Sequence, residues 1–247
     1  MINFFRRIRR NLIQDSQFYK YLKYAVGEIL LVVLGILIAF QINNWNDKKE
    51  NKKKELSYIS SIIEDIETDI EQSQVALEQL NQTRKGLDSL LLELSSEEIY
   101  LNSNKAYSLW MKYIGFEDFI SNDRTLQLLK YSSGFEFITR KKASDVILTY
   151  DQNIKNYKFQ SELISNILSN PQLINGVFDV ISLEKSIHDS IPIPLLTEDK
   201  ILLNQLYGNR KIWKMALNGA TSYLEIVHES GKQTKNKLQE IYRIKDE

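Results

Sequence analysis

The side chains that most often carry chemistry are scarce in this chain, and their spacing does not suit it. There are two histidines, His188 and His228, and no cysteine. Neither histidine has a second histidine or a carboxylate three or four positions on, the interval that sets two metal ligands on one helical face. Asp189 and Glu229 follow directly and point elsewhere, so a surface or capping role is expected for both histidines. The lack of cysteine removes disulfides, thiolate metal sites and thiol nucleophiles together. The nine glycines are isolated, which excludes a phosphate-cradling loop, and no Gly-x-Ser-x-Gly elbow occurs. Glu64, Asp65, Glu67, Asp69 and Glu71 read as a solvated helix face rather than an acid/base pair or a divalent-ion site. No catalytic residue, cofactor site or metal site is assigned, and an enzyme is not expected.

The aromatic-rich middle is the more suggestive stretch. Tyr107, Trp110, Met111, Tyr113, Phe116, Phe119, Tyr131, Phe135 and Phe137 crowd together, interrupted by Gly115 and Gly134. Packing over the end of a bundle would account for them. The sharper reading is a ligand or partner groove between helices, formed by Trp110, Tyr113, Phe116 and Tyr131.

The elements that position these residues begin with a membrane segment. From Ala25 to Ile42 the chain is almost continuously apolar, and Ile29 to Phe40 carries no polar side chain. Eighteen helical residues rise roughly 27 Å, close to a hydrocarbon core of about 30 Å. A core helix of a soluble protein is seldom apolar on every face. A cleavable signal peptide fits poorly, because the basic region is long and no small-x-small site follows. Tyr21, Tyr24 and Trp45 flank the span as interfacial aromatics do. Upstream, Phe4, Phe5, Ile8 and Leu12 share one helical face, with Arg6, Arg7, Arg9 and Arg10 largely on the others, the pattern of a short helix on an anionic leaflet. Six cations precede the span (Arg6, Arg7, Arg9, Arg10, Lys20, Lys23) and five follow it (Lys48, Lys49, Lys52, Lys53, Lys54). The first flank usually dominates, so the N-terminus is expected inside. Within the span, Glu28 is the lone formal charge, and Gly27 and Gly35 lie on roughly one face, where a second helix can approach. Gln41, Asn43, Asn44 and Asn46 form a polar collar at the exit.

Three apolar stripes organise the remainder. Steps of four and three from Ile59 pass through Ile63, Ile66, Ile70, Ser73, Leu77, Leu80, Arg84, Leu87 and Leu91 to Leu94, predicting a long helix that ends near Ser95. A second stripe runs from Ala143 through Ile147, Tyr150, Ile154, Tyr157, Ser161 and Ile164 to Leu168, stopped by Asn170-Pro171. The third runs from Leu203 through Leu206, Arg210, Trp213, Leu217, Ala220, Leu224, Val227, Gly231, Thr234 and Leu238 to Ile241. Shorter helices are expected over Lys105–Ile114 and Arg124–Tyr131. No alternating strand pattern persists, and Gly and Pro, at 9 and 3, are too few for a β-sandwich. The expected fold is all-α: one transmembrane helix continuous with a long amphipathic helix, then an antiparallel, four-helix-like bundle. The divisions are a basic amphipathic tail (1–24), a transmembrane helix (25–46) and a helical domain (47–247). That domain divides into a coiled-coil-like helix (47–97), short helices (98–139), a helix (140–170), a loop (171–197) and a long helix (198–245).

The stretch GEILLVVLGILIAFQINNWND (Gly27–Asp47), preceded by FFRRIRRNLI, resembles the N-terminal signature of an uncharacterised family of single-pass membrane proteins of Bacteroidota. TLQLLKYSSGFEFITRKKASDVILTYDQNI (Thr125–Ile154) resembles that family's second recurrent block, with Asp151 standing where the family carries a second tyrosine. The resemblance implies a bacterial cell-envelope location and no particular chemistry.

Lys plus Arg and Asp plus Glu are equal at 32 each, so no global charge points to nucleic acid. The expected function is a membrane-anchored interaction or scaffold module of the bacterial inner membrane. Its helical domain would lie in the periplasm, and its partners would be the lipid bilayer and a protein partner or further copies of itself. The alternatives are a ligand-sensing bundle without an output domain and an oligomeric membrane-perturbing effector.

Overall fold

The computed structural model describes residues 18–97, 99, 103–113, 115–168 and 200–244. The expected basic tail up to residue 17, the loop 171–197 and His188 lie outside the described residues. Among those described, the chain is helical and contains no strand. The elements are α1 (Phe18–Leu94), α2 (Ser103–Lys112), α3 (Arg124–Tyr131), a 3-10 turn (Gly134–Phe137), α4 (Lys141–Leu168) and α5 (Lys200–Tyr242). Packing divides the chain into two units, Met1–Leu56 and Ser57–Glu247.

Helix α1 runs without a break because nothing between Gly35 and Gly86 interrupts it: no proline or glycine occurs there. It stops at Leu94, where Ser95 turns its hydroxyl onto the Leu92 carbonyl at 2.9 Å and competes with a further turn. In the first unit, α1 is exposed through most of its described length, and burial begins at Glu55. Its apolar residues Ile29 to Phe40 are all exposed, and one stretch of this helix is long and apolar enough to cross a membrane.

In the second unit the three stripes turn inward. Ile59, Ile66, Leu80, Leu87, Ile147, Tyr157, Trp213, Leu217, Leu224 and Leu238 are at most 2% exposed and belong to one core. Contact pairs fix the directions. Glu67 meets Lys235 at 2.8 Å while Asp88 meets Lys214, so α5 runs opposite to this part of α1. Asn153 donates to Ser230 at 2.9 Å and Thr234 sits beside the Val146 carbonyl, so α5 also runs opposite to α4. The chain from α2 to the 3-10 turn descends along α1. Lys105 pairs with Glu93, Tyr113 lies on Gly86, Gln79 bonds Glu117, Asn122 reaches Asp65, and Phe137 stacks on Tyr58. Only part of this descent is helical: residues 115–123 form an irregular strap.

One short turn needs particular backbone. Ser133 sits at φ 55°, and a Cβ on Gly134 would come within 3.0 Å of the Leu129 Cα, so the residue that follows the left-handed turn must be glycine.

Candidate functional site

A band of buried polar groups crosses the second unit at the strap. Two carboxylates of α1, one turn apart, hold the strap's end. Asp69 accepts the Asn122 N–H at Oδ1 (2.6 Å) and the Tyr150 O–H at Oδ2 (2.8 Å). Asp65 accepts from the Asn122 side-chain amide (2.8 Å) and from the Thr125 N–H (3.1 Å). Thr125 lies in the first turn of α3, where amides have no partner within the helix. Asp123 occupies the capping position but makes no side-chain cap bond, and Asp65 does that work from another helix. Asp123 instead accepts from Gln127 at 3.0 Å and pairs with Lys158 at 3.3 Å.

The strap is held from α4 as well. Asp118 accepts the Tyr157 O–H at 2.6 Å and the Ser161 hydroxyl at 2.5 Å, and the Tyr157 oxygen in turn accepts the Phe119 N–H at 3.3 Å. Phe119 packs edge-on against the Tyr157 ring, with centroids 5.7 Å apart. Next to this, Asp151 is bracketed by Lys130 of α3 at 2.6 Å and Lys155 at 2.7 Å.

The environment sets the protonation of these groups. Burial, opposed by the bonds from Asn122 and Tyr150 and reinforced by Asp65 and Asp123, raises the Asp69 carboxyl above the usual carboxylate value. Burial and the Asp69 charge push the Tyr150 phenol well above its ordinary value, and burial with Asp118 does the same to Tyr157. Burial alone would raise Asp151, but its bonds to Lys130 and Lys155 outweigh that and hold it below 3.8.

Two readings of the sequence need correction here. Asp69, expected on a solvated face, is 2% exposed, because the strap covers a face of α1 that the apolar stripe alone left open. His228, expected at the surface, is 7% exposed, with Nδ1 2.9 Å from the Ser73 hydroxyl. Ser73 and His228 satisfy each other across the α1–α5 contact, one turn from Asp69. Among the described residues no group of three metal-binding side chains assembles. Ser73 is fully enclosed, so the pair has the contact of a nucleophile and base without access for a substrate.

The aromatic candidates do not converge. Trp110 is buried against Tyr107, Tyr113 lies on Gly86, Phe116 packs on the core, and Tyr131 is 87% exposed. An open hollow lies elsewhere, between α4 and α5, lined by Leu163, Ile164, Ile167, Ile212, Met215 and Ala216. Further hollows lie between α1 and α5 near Leu91 and Tyr207, and near Leu94 and Leu203.

In the first unit the candidates occupy the exposed helix. Gly27 and Gly35 have nothing within 4 Å of where a Cβ would sit. Glu28 and Gln41 are exposed, and Asn44 is half-buried. Trp45 is 65% exposed with the Lys49 ammonium 5.4 Å over its ring, and Asn43 bonds Asp47 at 3.1 Å.

Residues 28–108, from the apolar stretch into α2, match the profile of a family of unknown function, DUF6090. No curated protein and no solved structure matches the chain.

Proposed function

We propose that this chain is a non-enzymatic interaction module of the bacterial inner membrane, held by a single spanning helix over residues 25–46. Its N-terminus is cytoplasmic and residues 47–247 form a periplasmic domain that binds a protein partner. The observation that carries this reading is the run Ile29–Phe40, apolar on every face and exposed along its whole length, which water does not tolerate and a bilayer does. A helix of this kind so near the N-terminus is also what a signal sequence offers; the long basic flank and the unbroken course of α1 beyond the apolar run favour an anchor. The orientation rests on the usual dominance of the first flank, since the cations are nearly balanced at six before the span and five after it. A source in Bacteroidota rests on the two blocks of sequence resemblance.

The domain is best read as an antiparallel, four-helix-like bundle in which α1, α4 and α5 fill three positions. The descending chain from α2 to the 3-10 turn fills the fourth, broken at the strap. The partner reading is supported by the apolar hollow between α4 and α5, where Leu163, Ile212 and Met215 are 42%, 55% and 66% exposed. Two antiparallel helices with an apolar seam form the groove into which an amphipathic helix of another protein lays its apolar face.

The absence of native cysteine makes sidedness directly testable. Single cysteines at Ser16 and Ser95 are labelled in intact cells with a membrane-impermeant maleimide. Labelling at Ser95→Cys alone is expected. Labelling at Ser16→Cys alone would place the helical domain in the cytosol and replace this reading with a cytoplasmic scaffold.

A further inference from the structure

We propose that the strap, residues 115–123, is a proton-coupled clasp: Asp69 takes up a proton from solvent as the strap closes over it, so closure strengthens as pH falls.

Asp69 is 2% exposed and both its oxygens are engaged, yet both donors, the Asn122 N–H and the Tyr150 O–H, are neutral. The charges acting on it are carboxylates, Asp65 on its own helix and Asp123 at the strap's end. Cations nearby are engaged with other acids: Lys158 of α4 with Asp123, Lys130 and Lys155 with Asp151, and Lys235 of α5 with Glu67. From α5, His228 faces Ser73 one turn away. A buried carboxylate among other carboxylates, with only neutral donors, favours its uncharged form.

The geometry accepts the proton with its heavy atoms in place. A protonated Oδ2 donates to the Tyr150 oxygen across the same 2.8 Å once the phenol hydrogen rotates away, because a phenol both donates and accepts, while Oδ1 continues to accept the Asn122 N–H. Opening the strap returns Asp69 to water and to its ordinary carboxylate behaviour. A group that holds its proton more tightly closed than open binds one on closing, so closure is favoured as pH falls and weakest where both states are ionised. The closed strap also carries a cost: the Ser121 hydroxyl is buried without a hydrogen-bond partner among the described residues.

The test uses the full chain in nanodiscs with a spin label at Ile120→Cys, which is 76% exposed at the middle of the strap. Label mobility is followed between about pH 5 and pH 8.5, with far-UV circular dichroism recorded at each point. Mobility is expected to rise with pH at constant helix content. Asp69→Asn should hold the label immobile throughout, since an amide donates to Tyr150 and accepts from Asn122 as the protonated acid does. Tyr150→Phe removes a bond that favours the ionised form and should move the midpoint to higher pH. Mobility that is flat, or that falls as pH rises, overturns the proposal. So does an unchanged titration in Asp69→Asn, which would assign the response to another group. Where Asp69→Asn does not fold, an unshifted midpoint in Tyr150→Phe overturns it.

Discussion

Replacing Tyr157 by Phe removes one oxygen and leaves the ring, and so isolates the hydrogen bonds that hold the strap to α4. The hydroxyl donates to Asp118 at 2.6 Å and accepts the Phe119 N–H at 3.3 Å, while the side chain itself is fully buried. A hydrogen bond to a charged acceptor contributes about 1.5–3 kcal/mol, and a buried amide left without its acceptor costs about 1–3 kcal/mol. Asp118 is exposed and keeps its bond from Ser161, which places the first contribution at the low end. Recovered desolvation of the lost hydroxyl offsets part of the second. The net loss is about 2–3 kcal/mol. For a domain of this size that lowers Tm by about 4–12 °C. The assay is thermal unfolding of the full chain in nanodiscs, followed by circular dichroism, for Tyr157→Phe, Asp118→Asn and the double variant. A coupling between the two of about 1 kcal/mol or more is expected. A Tm within 1 °C of the parent, or strictly additive effects, would refute the claim that these bonds fasten the strap.

Other consequences separate tight contacts from open ones and acid-sensitive links from insensitive ones. A Cβ at Gly231 would lie 3.1 Å from Ile70 Cγ1 and 3.4 Å from Tyr150 Cε2, so Gly231→Leu overpacks the meeting of three helices and should cost about 1–3 kcal/mol in thermal melts. A Cβ at Gly219 would meet only Gln160 Oε1, at 3.7 Å, so Gly219→Ala should leave Tm unchanged or raise it. Asp151 is held below 3.8 by its lysines, so its contribution to stability is present above that value and is lost as pH falls through the lower folded value. Lys130→Ala should therefore destabilise near neutral pH, with the difference from the parent fading in urea titrations near pH 2.

Much of this fold is legible in the sequence because burial imposes a period. The stripe from Leu203 to Leu238 is buried at every step, Arg210, Gly231 and Thr234 included, and the predicted helix end near Ser95 lies one residue from the observed one. Short helices expected over Lys105–Ile114 and Arg124–Tyr131 are found at Ser103–Lys112 and Arg124–Tyr131. The polar band was not legible for a physical reason. Asp65 and Asp69 lie off the apolar stripe, and periodicity describes only the face that packs on other helices. What covers them is an irregular strap of polar and aromatic residues with no period of its own. Asn122, which joins both carboxylates, lies 53 positions from Asp69, and no local spacing signals that pairing. The burial of His228 is hidden for a similar reason: its partner Ser73 is one of the two polar positions in the first stripe. A polar residue at a core position of one helix is a signal to seek its complement on another.

The central claim is that residues 25–46 cross a bilayer as a permanent anchor. Alkaline carbonate washing of membranes from cells expressing the full chain tests it directly, since it strips peripheral proteins and leaves spanning ones. Retention of the intact chain, with its N-terminus uncleaved, in the membrane pellet is predicted. Release of the chain into the supernatant, or a soluble product that has lost the apolar run together with everything before it, would contradict it.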